Sequence, residues 1–298
     1  MHPERVGNLL FPAVTVSVSG GQVLEFGKES FKRYNLRRAP GDKKKRITYG
    51  YLGKPFSLVQ DAVESPLPYE HMRDARVMPG IDLGRQRTNN IMNTLTLALE
   101  IEQADAARNA ANYDTNSKIA LTGTDKFSDP ASDPIAQMDE YKEAVRSEIG
   151  AYPNVAIAGP AAFNATKNNP NVVDRFKYTS PESVTAQMLA QLFDLQRFVC
   201  GKAIYFDDSD NNFDVWGNDI VLAYVPAESI PSAAQYAPGN IVSFETPSYA
   251  YTYVMDGHPL IEEPYDDKSC DSWIYPGKYE RAPVLTGMGA GFLIQNVA

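Results

Sequence analysis

Apolar and polar positions are most regularly ordered between residues 82 and 113, where the chain reads DLGRQRTNNIMNTLTLALEIEQADAARNAANY. Ile91, Leu95, Ala98 and Leu99 recur at helical spacing, and Leu97, Ile101 and Ala104 form a second stripe beside them. Leu95, Leu97, Leu99 and Ile101 also alternate as a half-buried strand would. Helix is the better reading, because Ala, Gln and Glu follow over residues 100–111 and β-branched residues thin out there. The pattern predicts a long helix that Asp82 can cap and that the run from Asn112 to Asn116 stops. Two apolar stripes let one helix pack on more than one neighbour, so this element is expected to be the spine of the molecule.

Upstream, residues 1–27 carry a short apolar run (Leu9, Leu10, Phe11, Val14, Val16, Val18) with no helical period, followed by Gly20-Gly21, a turn signal. This reads as a strand, or as an extended arm lying on something else. Residues 47–52 alternate like a strand, Gly53-Lys54-Pro55 is turn material, and residues 56–63 resume the alternation, which together predict a long hairpin. Pro66, Pro68 and Pro79 then break the chain before the spine. Residues 28–80 thus form an excursion with few apolar residues of its own. A long two-stranded ribbon is marginally stable alone, so it needs a partner to lie on, such as another subunit.

Downstream, Asp133-Pro134 is an N-cap and first-turn pair, and Ile135, Met138, Ala144 or Val145, and Ile149 mark an amphipathic helix that ends at Gly150. Residues 154–159 read as a short buried strand and residues 160–168 as a helix with Phe163 inward. Ser180-Pro181-Glu182-Ser183 opens another helix, with Val184, Met188, Leu189, Leu192 and Phe193 inward. Residues 198–206 and 220–225 read as strands joined through 207–216. Beyond residue 240, strand-like runs occupy 241–244, 249–255, 273–275 and 291–297, with no strong helix. The class is α+β, with a mixed α/β domain over roughly 150–235.

The chain has 298 residues, 43% of them hydrophobic, enough for a sizeable core. The net charge of −9 argues against a protein devoted to gripping nucleic acid. No apolar stretch reaches the length of a membrane span, and MHPERVGNLLF lacks a signal-peptide layout. Cys200 and Cys270 lie far apart, so a disulfide framework is not expected and a reducing compartment is the simpler inference. Charge is unevenly placed. Residues 28–46 hold nine Lys or Arg against Glu29 and Asp42, a strip of +7, which leaves −16 for the remainder. Such a strip can sit against phosphates, can meet an acidic surface on another copy of the chain, or can be a solvated loop.

Candidate chemistry is sparse. His2, His71 and His258 stand in no metal-ligand spacing, and His258 falls in the turn sequence Asp256-Gly257-His258-Pro259. Asp208, Asp210, Asn212 and Asp214 alternate oxygen ligands as a calcium loop does. However, Phe213 stands where that loop needs Gly, and Asp219 where it needs Glu, so a polar connection between strands is the better reading. Gly287, Gly289 and Gly291 lie too near the C-terminus for a nucleotide-binding turn and its helix. No nucleophile elbow or phosphate-binding loop is present, and no catalytic, cofactor-binding or metal residue is assigned. A hydrolase using Asp207, Asp208 and Asp210 stays open, on condition that they form a titratable pair in a closed pocket.

Several stretches, in this order, carry a resemblance. They are PGIDL at 79–83, LTLALEI at 95–101, TGTDKFSDPASDPI at 122–135, PNVAIAG at 153–159, NVVDRFKY at 171–178, WGNDIVLAY at 216–224, PSYAYTY at 247–253 and GFLIQNV at 291–297. On these stretches the chain resembles, over nearly its whole length, the major capsid proteins of tailed bacteriophages, whose Hong Kong-type shell fold encapsulins share. The resemblance implies an N-terminal arm (1–27), an extended loop over the adjacent subunit (28–80), a peripheral domain with the spine helix (81–150 and 241–298) and an axial domain (151–240). It implies hexamers and pentamers of this chain forming an icosahedral head around double-stranded DNA bound without sequence specificity. It also implies a virion protein assembled in the host bacterial cytoplasm with a portal, and with a decoration protein in some cases. Some members begin with a cleaved scaffolding segment. This chain starts almost at the arm, so the scaffold is expected to be a separate protein unless that segment is already missing. An encapsulin-like compartment is the alternative within the same fold. On this reading Arg37, Arg38, Lys43, Lys44, Lys45 and Arg46 make intersubunit contacts; no enzyme activity, cofactor or membrane is expected.

Overall fold

The computed structural model describes residues 5–24, 37, 53–75, 82–177, 184–226 and 248–298. After a 3-10 turn at Gly7–Leu9 come strands β1 (Ala13–Val16), β2 (Gly20–Leu24), β3 (Gly53–Ser57) and β4 (Val59–Pro68), then helices α1 (Tyr69–Ala75) and α2 (Leu83–Arg108). The middle of the chain holds β5 (Lys118–Ala120), α3 (Pro134–Ile149), β6 (Val155–Ala158), α4 (Pro160–Asn168), α5 (Pro170–Phe176) and α6 (Ala186–Leu192). Strands β7 (Arg197–Cys200), β8 (Ile204–Phe206), β9 (Asn212–Asp214) and β10 (Ile220–Ala223) follow. The last part is β11 (Ala250–Met255), β12 (Leu260–Ile261), β13 (Tyr265–Asp267), β14 (Ser272–Leu285) and β15 (Gly291–Gln295).

Two sheets organise these elements. In the six-stranded sheet the order is β1-β11-β14-β12, with β4 and β13 also paired to β14. The five-stranded sheet runs β5-β15-β10-β6-β7. Strands β6 and β10 are buried along their whole length, as expected for strands covered on both faces. Helix α3 and helices α4 to α6 supply one cover, where Met138, Tyr141, Val145, Ala162, Val172 and Leu189 share a core with Ala156, Leu222 and Ile294. The C-terminal strand β15 belongs to this sheet, and β5 and α3 go with it.

The predicted spine is α2, a 26-residue helix about 39 Å long at 1.5 Å per residue. Asp82 caps it by accepting a hydrogen bond from the Arg85 amide at 3.0 Å. It ends earlier than the sequence suggests, at Arg108, because Asn109 turns to extended geometry and starts a short 3-10 turn over Ala110–Asn112. Its two stripes do what two stripes allow. Ile91, Leu95 and Leu99 pack on Val254 and Tyr279 of the six-stranded sheet. Leu97, Ile101, Ala104 and Ala107 join the core beneath Val155, Ile157, Val221 and Leu293 of the five-stranded sheet. Gly277 makes the first contact possible: a Cβ there would stand 2.4 Å from Ile91 Cγ2. The α3 caps are also as expected. Asp133 Oδ1 accepts from the amides of Ile135 and Ala136, and Gly150 closes the helix in the left-handed region at φ 73°.

Other expectations are corrected. Gly53-Lys54-Pro55 is strand, not turn, and Gly20-Gly21 likewise: β2 and β3 pair antiparallel from Gly20↔Ser57 to Leu24↔Gly53. The arm of the hairpin read at 56–63 is divided between β3 and β4, and its other arm, residues 47–52, lies outside the described residues. Pro66 and Pro68 do not interrupt the chain. They sit in β4, whose pairing in the sheet is to β14 alone, and an edge strand tolerates a missing amide donor. The helix expected to open at Ser180 begins at Ala186, with Thr185 as its cap, while residues 178–183 lie outside the described set. The strand expected over 198–206 is broken by Gly201-Lys202-Ala203 into β7 and β8. The run expected at 241–244, Pro79-Gly80 and His2 also lie outside the described residues.

Candidate functional site

Among the described residues, those that matter sit where chain segments meet. The first junction is at Glu100, on the spine and only 1% exposed. One carboxylate oxygen accepts from the Trp216 indole at 2.8 Å and from the Val6 amide at 3.2 Å, and the other has no hydrogen-bond partner. Burial holds this carboxyl above the usual range, against the opposing pull of those two donors and of the Arg5 charge. Beside it Arg5 donates to Asn93 Oδ1 at 2.7 Å, and Gln103 donates to Asn8 and to Thr252. The described part of the arm is thus fastened to its own spine, and it continues into β1, which runs parallel with β11 of the same chain.

A second junction joins the spine to the six-stranded sheet. The Arg281 side chain, 1% exposed, reaches Asp61 on β4 at 2.7 Å and Glu102 on the spine at 3.1 Å, and lies 4.8 Å over the Tyr279 ring. A third ties the end of the spine to the five-stranded sheet: Arg108 meets Asp219 at 2.8 Å and the Val215 carbonyl at 3.0 Å. Asp219, which the calcium-loop reading placed as a ligand, is therefore engaged by Arg108 and by the Asn296 amide. None of these groups was singled out as a site residue from the sequence. Glu100, Glu102 and Arg108 look there like ordinary polar positions of a helix.

Of the basic residues expected to make intersubunit contacts, Arg37 is described and exposed, while Arg38, Lys43, Lys44, Lys45 and Arg46 lie outside the described residues. Residues 25–52, which carry them, join β2 to β3 in sequence. Phe56 of β3 stacks on Tyr253, with ring centroids 4.6 Å apart. Asp207, Asp208 and Asp210 form the turn of the β8–β9 hairpin. Asp207 accepts from the amides of Ser209 and Asn211, and the Asn211 side chain and these amides hold its carboxyl below the usual range. Asp208 and Asp210 are exposed and Asp207 partly so, so the closed pocket that a hydrolase reading required is missing there. His258 follows β11 in a turn, its amide donating to the Met255 carbonyl, and His71 lies exposed on α1. Among the described residues no three His, Cys, Asp or Glu are grouped to hold a metal. Cys200 is half-buried and Cys270 exposed, and both are free. No helix of the described residues is long and apolar enough to cross a membrane.

A spine helix laid across two sheets, with an arm and a long excursion, is the fold of phage shells. The capsid structure of cyanophage P-SCSP1u superposes with a TM-score of 0.60 over 99% of this chain and 89% of that one, at 10% identity. Sequence kinship is closer elsewhere. The major capsid protein of Burkholderia phage BcepMu is 32% identical over 301 residues, spanning 99% of this chain and 92% of that protein. A crystal structure of a phage-related protein from Bordetella bronchiseptica RB50 is 38% identical, with a TM-score of 0.77 over 98% of this chain and 92% of that one. The family model described as phage major capsid protein E matches residues 111–255. The chain belongs to the family of phage major capsid proteins, and is a structural component of a virion.

Proposed function

We propose that this chain assembles through hexamers and pentamers into an icosahedral head that encloses phage double-stranded DNA without reading its sequence. The observation that carries the proposal is the identity to a phage major capsid protein along 99% of the chain. Assembly takes place in the host bacterial cytoplasm with a separate scaffolding protein and a portal, and the finished surface offers a place for a decoration protein. The chain's work is geometric and involves no catalysis. Residues 1–27 are the arm and residues 28–80 the extended loop, of which β1 and β4 return to the six-stranded sheet. The peripheral part is α2 with the six-stranded sheet. The five-stranded sheet with α3 to α6 is the axial part, which moves residues 118–149 and 291–298 out of the peripheral grouping drawn from sequence.

The basic strip at 28–46 binds neighbouring copies, with Arg37, Arg38, Lys43, Lys44, Lys45 and Arg46 supplying the charge. What supports this is a +7 segment on a remainder of −16, inserted between the paired strands β2 and β3. Changing Lys43, Lys44, Lys45 and Arg46 together to Glu is expected to suppress assembly, read by sedimentation, while the thermal melt of the monomer stays in place. Normal particles from this variant would remove the strip from the interface.

A further inference from the structure

We propose that the β8–β9 hairpin, residues 204–214, is the surface on which the basic segment 28–46 of a neighbouring copy docks. This rests on the reading that the strip contacts neighbouring copies, and names its acceptor. The hairpin pairs Ile204↔Asp214, Tyr205↔Phe213 and Phe206↔Asn212 and belongs to neither large sheet. Directly paired residues share a face, so Ile204, Phe206, Asn212 and Asp214 form one face and Tyr205 and Phe213 the other. Ile204 is 40%, Phe206 60% and Phe213 43% exposed. Ile204 and Phe206, two large apolar side chains exposed on one face of a short ribbon, mark a surface that is covered in use, while Phe213 on the other face stacks on Tyr205.

Its charge identifies the cover. Asp207, Asp208, Asp210 and Asp214 give residues 204–214 a charge of −4 with no Lys or Arg among them. No described cation forms an ion pair with Asp208, Asp210 or Asp214. The segment 28–46 is complementary in both respects, at +7 and with Phe31, Tyr34 and Leu36 among its basic residues. Its excursion, 25–52, has 28 residues, and at roughly 3.3 Å per extended residue a there-and-back path reaches up to about 45 Å. A second acidic stretch, around β13, carries Lys268 among its acids and is already paired into the six-stranded sheet through β14. Glu262 pairs with Lys278, Glu64 accepts from Tyr265, and Asp266 accepts from Tyr69.

A mixing experiment decides it, under conditions in which the wild-type chain assembles. One variant carries Lys43, Lys44, Lys45 and Arg46 changed to Glu. The other carries Asp208→Lys and Asp214→Lys, which spares Asp207, whose carboxylate builds the turn, and Asp210, whose φ of 60° suits Asp. Each alone is expected to lower particle yield about tenfold, with an unchanged monomer melt. Co-expressed with different tags, the two are expected to assemble together, each Glu strip lying on a neighbour's Lys hairpin and each native strip on a native hairpin. Particles would then contain both tags. Pairing within one chain cannot be rescued by mixing, and alternation closes rings of six but not of five, so a mixture that yields no ring or particle carrying both tags overturns the proposal. If the hairpin variant alone assembles like wild type, the hairpin is not the acceptor, although the strip reading stands. If the strip variant alone assembles normally, both readings fall. Phe206→Ser is a second probe: it leaves every charge in place and is expected to weaken assembly too, and wild-type yield from it would contradict the apolar half of the contact.

Discussion

Single residues hold the segments together, and Glu100 is the most exacting of them. Its acceptor oxygen satisfies two buried donors, so Glu100→Leu is expected to cost about 2–4 kcal/mol by leaving the Trp216 indole and the Val6 amide unpaired. Glu100→Gln keeps an acceptor and is expected to cost less than about 1 kcal/mol; chemical denaturation distinguishes the two. The same group sets a pH dependence. Its folded pKa is raised, so the folded state binds the proton more tightly, and the stability it contributes is present at low pH. That contribution declines as pH rises above the unfolded value of about 4.3 towards the raised folded one. Glu100→Gln should flatten this part of the profile, and an unchanged slope would contradict the assignment. Arg281→Ala should cost about 1–2 kcal/mol, chiefly through the lost packing of its buried side chain over Tyr279, because Asp61 and Glu102 are more than a third exposed and water can replace the cation. These residues were hidden in the sequence because a polar side chain on a helix or strand looks the same whether it meets water or a buried donor.

Elements divide by how local their signals are. The spine was legible because both stripes reflect real neighbours, one on each sheet. The prediction at this scale is graded. Leu95→Ala, in the contact with Val254 and Tyr279, should cost about 3 kcal/mol, and Leu97→Ala, only partly buried, about 1–2 kcal/mol. Equal losses would show that the two stripes are not loaded as described. The helix α3 was legible because Asp133, Pro134 and Gly150 are local cap signals. The strands of the six-stranded sheet were not. Only 273–275 of β14 read as strand, since Pro276, Gly277 and Pro283 look like breakers, yet its 14 residues are held by β4, β11, β12 and β13 on its flanks. Likewise Gly20-Gly21 and Gly53-Lys54-Pro55 carry turn residues, and only their pairing across a long gap in sequence makes them strands. Long-range partners, which no local pattern contains, decided these segments.

At the scale of the whole molecule, charge and chain economy point outwards. The spine bridges the chain's two sheets, and beside them stand a basic segment of +7 and a hairpin with an exposed apolar and acidic face. The excess of positive charge in 28–46 was legible by counting; the hairpin that answers it was not. In the sequence its aspartates resembled an imperfect calcium loop, and Phe213 stood out only as the residue where that loop needs Gly. If charge pairing between these surfaces drives association, raising salt from 0.05 to 0.5 M should slow assembly, because screening lengths fall from above about 10 Å to below about 5 Å. Salt-independent assembly rates would argue for a purely apolar interface. The measurement that tests the account most directly is electron microscopy of the purified chain, with and without its scaffolding partner, alongside sedimentation. Closed, uniform shells built from rings of six and five are the expected result. A compact monomer that refuses to assemble even with that partner present would contradict it.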